Sequence, residues 1–328
     1  MTLDFEKEKL VSELERLKPK KVLVQLPEGI KQHAIEIAKI IESLGIEVII
    51  SGETCWGGCC VNPTEAQASG ADLIVHFGHA EFVSVKFPVL YIEVKDILDL
   101  NPILEKSLGV LEKYNSIGFS FSVQHLKDIP DIVKFYESKG KKIILSKKKG
   151  LVAYEGHIVG CQYEGLKAIQ DEVDAFVILG NNFHSMGAAI AVEKPVILLD
   201  VYNNEVKEMV GVRDKILKQR VIAIEKLKEA KKVGIISEIK IGQKFGLAHP
   251  LIEKLKKSGK EVISIKMDEM TNEKIMNFYD IDCFIELACP RIAVDDFAKY
   301  DKPIVTYREA LIALDGKTWE EALEEGLL

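Results

Sequence analysis

Arginine is scarce. Only five of the 328 residues are Arg, and the formal net charge is −7. No basic stripe interleaved with aromatic residues occurs. Affinity for a phosphate polymer comes from Lys and Arg replacing counterions, so this composition excludes nucleic acid as a tight partner. No run approaches the ~20 apolar residues that span a bilayer, and no membrane partner is expected. The charged start, Met1-Thr-Leu-Asp-Phe-Glu-Lys-Glu-Lys9, has no signal-peptide apolar core. A cytoplasmic location is expected, where thiols stay reduced. No G-x-G-x-x-G follows a strand, so a nicotinamide or flavin dinucleotide is not expected.

What is present is ample apolar material. Hydrophobic residues make up 47% of the chain and charged residues 29%, the balance of a globular protein. The length suits two or three domains. A repeat of about a hundred residues divides it into three. The first strands are Lys21-Val-Leu-Val-Gln-Leu26, Ser116-Ile-Gly-Phe-Ser-Phe-Ser122 and Lys232-Val-Gly-Ile-Ile-Ser237. The helix after each ends at Gly45, Gly140 or Gly259, and glycine suits the left-handed position just past a helix end. Second strands follow at 46–50, 141–145 and 260–265. Third strands begin at Asp72, Asp174 and Asp282, which are 102 and 108 residues apart. Fourth strands begin at Pro88, Pro195 and Pro303. Amphipathic helices are expected near 4–17, 99–113 and 206–230, before each unit.

Near-continuous apolar runs between helices indicate parallel strands covered on both faces. The expected fold is α/β: three homologous Rossmann-like domains, each β-α-β-α-β-loop-β with a four-stranded parallel sheet, around a pseudo-threefold axis. The domains are expected to span 1–114, 115–230 and 231–328.

Functional groups in such sheets collect at the carboxyl ends of the strands. Measured from the repeat aspartates, Cys59 and Cys161 each lie 13 residues upstream, in the loop after the second strand. The third unit has Glu269 there and carries Cys289 instead, 7 residues after Asp282. The same position holds His79 in the first unit and Asn181 in the second. Six cysteines in a reducing compartment are metal-binding, catalytic or buried rather than paired. Three thiolates, one per unit, suit an iron–sulfur cluster with one iron open to a ligand. Structural zinc usually takes four ligands, and Cys55-Trp-Gly-Gly-Cys59 has no second cysteine pair to complete such a site. The C-x₃-C-x₂-C pattern of the usual radical enzymes starts here and fails at Asn62. Cys283 sits inside an apolar strand and is expected to be a small buried hydrophobe, as are Cys55 and Cys60. For Cys59, Cys161 and Cys289, spacing alone leaves ligand and buried thiol both open.

The sequence around these cysteines resembles a known family. Glu53-Thr-Cys-Trp-Gly-Gly-Cys-Cys-Val-Asn62, Val75-His-Phe-Gly-His79, Gly160-Cys161, Asn182-Phe-His184 and Ala288-Cys-Pro-Arg-Ile-Ala-Val-Asp-Asp296 are similar to diphthamide-synthesis proteins. Gln25-Leu-Pro-Glu-Gly29 fits as well. The resemblance is to the archaeal type that performs the first step, and it runs through all three units. It implies Cys59, Cys161 and Cys289 as ligands of a 4Fe-4S cluster. It also implies S-adenosylmethionine as substrate, a histidine of translation elongation factor 2 as acceptor, a reducing electron donor and a homodimer. The implied chemistry cleaves the bond from sulfur to the γ-carbon, and the resulting 3-amino-3-carboxypropyl radical attacks C2 of the imidazole. Expected contacts to S-adenosylmethionine are Glu28, Gly29, Gly242 and Gln243, in strand-to-helix loops where a helix N-terminus can receive a carboxylate, together with His79 and Asn181. His76 and His184 are further candidates to line the centre, with packing or capping as the alternative role. A quinolinate synthase-like cluster enzyme, a non-catalytic partner subunit and a structural zinc protein are the competing functions.

Overall fold

The computed structural model describes residues 2–295, 297–319, 321 and 323. Met1, Asp296 and the end of the third expected domain at 324–328 lie outside the described residues. Fifteen strands occur among them. A short pair, β1 (Thr2–Asp4) and β6 (Lys95–Ile97), is antiparallel. The first sheet contains β2 (Lys21–Gln25), β3 (Glu47–Ile50), β4 (Leu73–Phe77) and β5 (Val89–Ile92). The second contains β7 (Ser116–Phe121), β8 (Lys142–Leu145), β9 (Ala175–Gly180), β10 (Val196–Asp200) and β11 (Glu205–Glu208). The third contains β12 (Lys232–Glu238), β13 (Glu261–Met267), β14 (Cys283–Glu286) and β15 (Ile304–Thr306).

The sheets repeat one topology. Their orders are β3-β2-β4-β5, β8-β7-β9-β10-β11 and β13-β12-β14-β15. In each, the second strand of the unit forms one edge and the first and third strands sit at the centre. The central strands β4, β9 and β14 are buried along their whole length, as strands covered by helices on both faces must be.

The repeat marks have a structural cause. Asp72 accepts the backbone N–H groups of Lys20 and Lys21, Asp174 those of Asn115 and Ser116, and Asp282 those of Lys231 and Lys232. Each aspartate therefore clamps the start of the neighbouring first strand. These bonds also hold Asp174 and Asp282 below the ordinary carboxylate pKa. Pro88, Pro195 and Pro303 each present a carbonyl to the third strand, accepting from Ile74, Phe176 and Phe284 at 2.8–3.0 Å. Gly45, Gly140 and Gly259 take φ of +78°, +76° and +83°, the left-handed conformation that ends a helix.

Three expectations need correction. The second sheet has a fifth strand, β11, antiparallel to β10, where a helix was expected to begin. The helix starts only at Val210 and runs to Glu229. Glu205-Val-Lys-Glu208 is too short and polar for its alternation to stand out, and it finds its partner only because β10 offers an unpaired edge. Likewise residue 4 lies in β1, and the first helix is Lys7–Leu17. The connection from third to fourth strand is a loop only in the first unit; helices Asn182–Ala191 and Pro290–Asp295 occupy it in the others.

A buried ion pair ties the Val210–Glu229 helix to the third sheet. Arg220 Nε and Nη2 donate to the two carboxylate oxygens of Glu309 at 2.7 and 2.6 Å. Nη1 and Nη2 also donate to the carbonyls of Ala293 and Ile304. Glu309 in turn completes a capping box with Thr306. Removing one partner strands a buried charge. Glu309→Ala is thus expected to destabilise the chain by about 3–5 kcal/mol, measured as a lower urea midpoint. An unchanged midpoint would show that the pair contributes nothing.

Candidate metal centre

All six cysteines are free. Cys55, Cys60 and Cys283 are buried, while Cys59, Cys161 and Cys289 are the three that keep some exposure. Each of these three leaves the carboxyl edge of a different sheet. Cys59 lies in the single 3-10 turn Gly58–Cys60 after β3, Cys161 ahead of the helix Glu164–Lys167, and Cys289 between β14 and the helix Pro290–Asp295.

Two contacts across units hold these loops together. The first joins units one and three. A Cβ on Gly242 would stand 2.5 Å from the Cys59 Cα and 2.6 Å from its carbonyl oxygen, so only glycine permits this approach. The next residue, Gln243, directs its amide Nε2 to the sulfurs of Cys59 and Cys60 at 3.5 and 3.6 Å. The second contact joins units two and three. Arg291, two residues after Cys289, is 3% exposed. Its Nη1 donates to the Gly160 carbonyl at 3.0 Å and to the Tyr163 hydroxyl at 2.8 Å. Nε and Nη2 donate to Asp295, and the guanidinium lies 4.2 Å from the centroid of the Phe183 ring. A cation is thereby fixed beside both Cys161 and Cys289.

The thiols sense one another. Hydrogen bonding with Cys60 and burial hold the Cys59 thiol well above its ordinary pKa, and the charge of Cys289 adds to this. Burial pushes Cys161 up to about 12, against the opposing charge of Arg291. Burial also raises Cys289, with Cys161 adding to it. Three thiols in such surroundings stay protonated unless a metal's positive charge stabilises the thiolates. The donor set fits an iron–sulfur cluster, since thiolates on separate irons approach one centre without converging on one atom.

The remaining candidates fall around this centre. Glu28 accepts the Cys55 backbone N–H at 3.3 Å and pairs with Lys31 at 2.7 Å. Gly29 follows it in the 3-10 helix Glu28–His33, where a Cβ would meet nothing within 4 Å. Asn181 caps the helix Asn182–Ala191 by accepting the His184 N–H. His76 Nε2 stands 3.1 Å from His79 Nδ1. Desolvation lowers the pKa of His76 to about 3, of His79 to about 4 and of His184 to about 3, so all three are neutral. His157 is neutral for the same reason, and the Nδ1 atoms of His157 and His184 have no hydrogen-bond partner.

Arg291, Gln25 and His157 are functional candidates that appear only in the structure. Arg291 carried a usable signal: an arginine in the apolar stretch Ala288–Val294 must be buried, and a buried cation needs named partners. Gln25, at the end of a buried strand, gave the same hint for a polar residue. His157 gave none.

A family model for diphthamide synthesis proteins matches residues 26–324. The chain is 29% identical over 317 residues to the 2-(3-amino-3-carboxypropyl)histidine synthase of Pyrococcus horikoshii, covering 96% of this chain and 91% of that one. It is also 29% identical to subunit 1 of the enzyme of the same name from Kluyveromyces lactis, over 95% of this chain and 75% of the relative. Among solved structures, that of Dph2 from Pyrococcus horikoshii with a 4Fe-4S cluster superposes with a TM-score of 0.87 at 27% identity, covering 96% of this chain and 92% of that one. The chain belongs to the diphthamide synthesis protein family.

Proposed function

We propose that this chain transfers the 3-amino-3-carboxypropyl group of S-adenosylmethionine to C2 of a histidine of translation elongation factor 2, the first step of diphthamide biosynthesis. Cys59, Cys161 and Cys289 would hold the 4Fe-4S cluster. The observation that carries this is the set of three partly exposed thiols, one from each sheet and electrostatically coupled, in a chain similar over nearly its whole length to a protein solved with such a cluster. When bound, the cluster supplies the electron that splits the bond between the sulfonium sulfur and the γ-carbon.

The protein's own groups do the rest. Arg291 offsets the negative charge gathered by the thiolates, and its hydrogen bond to the Gly160 carbonyl keeps two ligand loops in register. Gln243 donates to the Cys59 sulfur and steadies it as a thiolate. We assign Glu28, Gly29, Gly242 and Gln243 to the methionine moiety of S-adenosylmethionine, and His79 and Asn181, at the positions matching Cys289, to the opposite wall. Neutral His157 and His184 exclude water without adding charge, which protects a radical from side reactions. The division at 1–114, 115–230 and 231–328, a homodimer, an external electron donor and a cytoplasmic location belong to the same proposal. Among the described residues no helix is long and apolar enough to cross a membrane.

The test uses S-adenosylmethionine labelled in one of two places, under strict anaerobiosis with a strong reductant. Label in the aminocarboxypropyl group is expected on elongation factor 2, and label in the methyl group in methylthioadenosine. Changing the target histidine should stop transfer to protein while leaving some cleavage. Release of 5′-deoxyadenosine as the main product would show that the other carbon–sulfur bond breaks and would reject the proposal.

A further inference from the structure

Cys55, His76 and His79 meet at the carboxyl edge of the first sheet, and the proposed reaction uses neither Cys55 nor His76. The Cys55 sulfur and one ring nitrogen of each histidine all lie within 4.8 Å of one another. His76 Nε2 and His79 Nδ1 are 3.1 Å apart. On a tetrahedral zinc with nitrogens at about 2.0–2.1 Å and sulfur at about 2.3 Å, two nitrogens stand roughly 3.3 Å apart and the sulfur roughly 3.6 Å from each. The two histidine nitrogens thus stand close to the spacing that a single ion requires, and the Cys55 sulfur lies within 4.8 Å of a ring nitrogen of each. The three-thiolate set differs, because Cys59, Cys161 and Cys289 do not converge in this way.

A second layer orients the donors. Gln25, at the end of the central strand β2, is the register partner of His76. Its Nε2 donates to the Cys60 carbonyl at 3.3 Å, which turns its Oε1 towards His76 Nδ1, also at 3.3 Å. An amide oxygen only accepts, so Nδ1 carries the His76 proton and Nε2 presents a lone pair. An oxygen acceptor on the far ring nitrogen is how ligating histidines are commonly held. His76 has no exposed surface, and burial keeps both rings neutral, so neither must lose a net proton to bind a metal.

We infer that Cys55, His76 and His79 bind one zinc-class divalent cation, separate from the three-thiolate centre. One thiolate and two imidazoles form a borderline-soft set that suits zinc and disfavours magnesium or calcium. Binding releases one proton, from the Cys55 thiol. Coordination through Nδ1 requires the His79 proton on Nε2. Three protein ligands leave one position open. Two histidines take the place of a second cysteine pair, and the pairing of both β3 and β4 with β2 brings them beside the Cys55 loop.

The site can be tested without the cluster because none of its donors is Cys59, Cys161 or Cys289. The full chain carrying Cys59→Ser, Cys161→Ser and Cys289→Ser together is purified anaerobically, stripped with chelator, checked for folding by circular dichroism and titrated with Co²⁺. The expected result is one Co²⁺ per chain, with tetrahedral d–d bands and a thiolate-to-cobalt charge-transfer band, displaced by Zn²⁺. Adding Cys55→Ser should remove the charge-transfer band. Adding Gln25→Leu, which leaves the ligands in place, should weaken binding by about 10–100-fold, and His76→Gln by more. A folded triple variant that binds no cobalt, or a charge-transfer band that survives Cys55→Ser, overturns the assignment. Should the triple variant not fold, zinc analysis of the wild-type chain after Zn²⁺ incubation and dialysis decides. One zinc per chain, lost in His76→Gln, supports the site, and no retained zinc overturns it. Failure of methylthioadenosine formation bears only on the proposed reaction, since the triple variant cannot perform it.

Discussion

Cys161→Ala is expected to abolish the brown colour of anaerobically reconstituted protein and to lower its iron from about four atoms per chain to a small remnant. Cys161 is the sole cysteine among residues 115–230, so no neighbouring thiol can replace it. Its surroundings push the thiol up to about 12, which shows how unwelcome a thiolate is there without a metal beside it. Removing it leaves two thiolates to hold the cluster and leaves the Arg291 cation facing a reduced negative charge. Cys59→Ala and Cys289→Ala should behave alike, although Cys60, 4.0 Å from the Cys59 sulfur, could retain part of the iron in the first. Cys283→Ala is the control. Cys283 is fully buried in β14 within the apolar core formed by Leu251, Leu255 and Val305, and its loss should cost stability and no iron. Iron content, sulfide content and the visible spectrum of each variant supply the check. Full iron retention in Cys161→Ala would reject the three-ligand arrangement.

Gly242→Ala should damage the same centre without touching a ligand. The added methyl carbon would stand 2.5 Å from the Cys59 Cα, 2.6 Å from its carbonyl oxygen and 2.7 Å from its Cβ. Most of these atoms belong to backbone, so no rotamer change relieves the clash, and the two loops must separate. Separation withdraws Gln243 from the sulfurs of Cys59 and Cys60 and tilts the Cys59 loop away from its partners. Overpacking of this kind costs about 1–3 kcal/mol. The expected result is a lower thermal midpoint together with a several-fold loss of iron on exposure to air. Gly29→Ala, where a Cβ meets nothing within 4 Å, should leave both unchanged. Equal iron retention in the two variants would show that the close approach of units one and three does not shape the centre.

The repeat was legible because it recurs locally. An aspartate that clamps the first strand, a proline whose carbonyl starts the fourth and a glycine that ends a helix each act within one unit, so identical geometry demands identical residues at one period. That periodicity placed the strands of three parallel sheets and singled out Cys59 and Cys161 by their shared distance from Asp72 and Asp174. The family resemblance then named the chemistry, and the family model bears out the membership. Strand β11 is not legible in the sequence because a single short polar alternation carries no period, and its partner edge exists only once β10 is in place.

The contacts that assemble the centre are of another kind. Gln243 reaches Cys59 across 184 residues, and Arg291 reaches the Gly160 carbonyl across 131. No local pattern encodes such pairings, because they depend on how three separately specified sheets pack. The meeting of Cys55 with His76 and His79 is also non-local, since Cys55 follows β3, the histidines lie at the end of β4, and both strands pair with β2. By itself the sequence determined the three sheets, the repeat marks and the cysteine positions, all set by short-range backbone geometry and periodic burial. Only the tertiary structure decided which of the six thiols stay partly open, which cation stands beside them and which histidines close around Cys55. Those outcomes depend on desolvation, on strand pairing within the first sheet and on contacts between units, which exist only in the packed molecule.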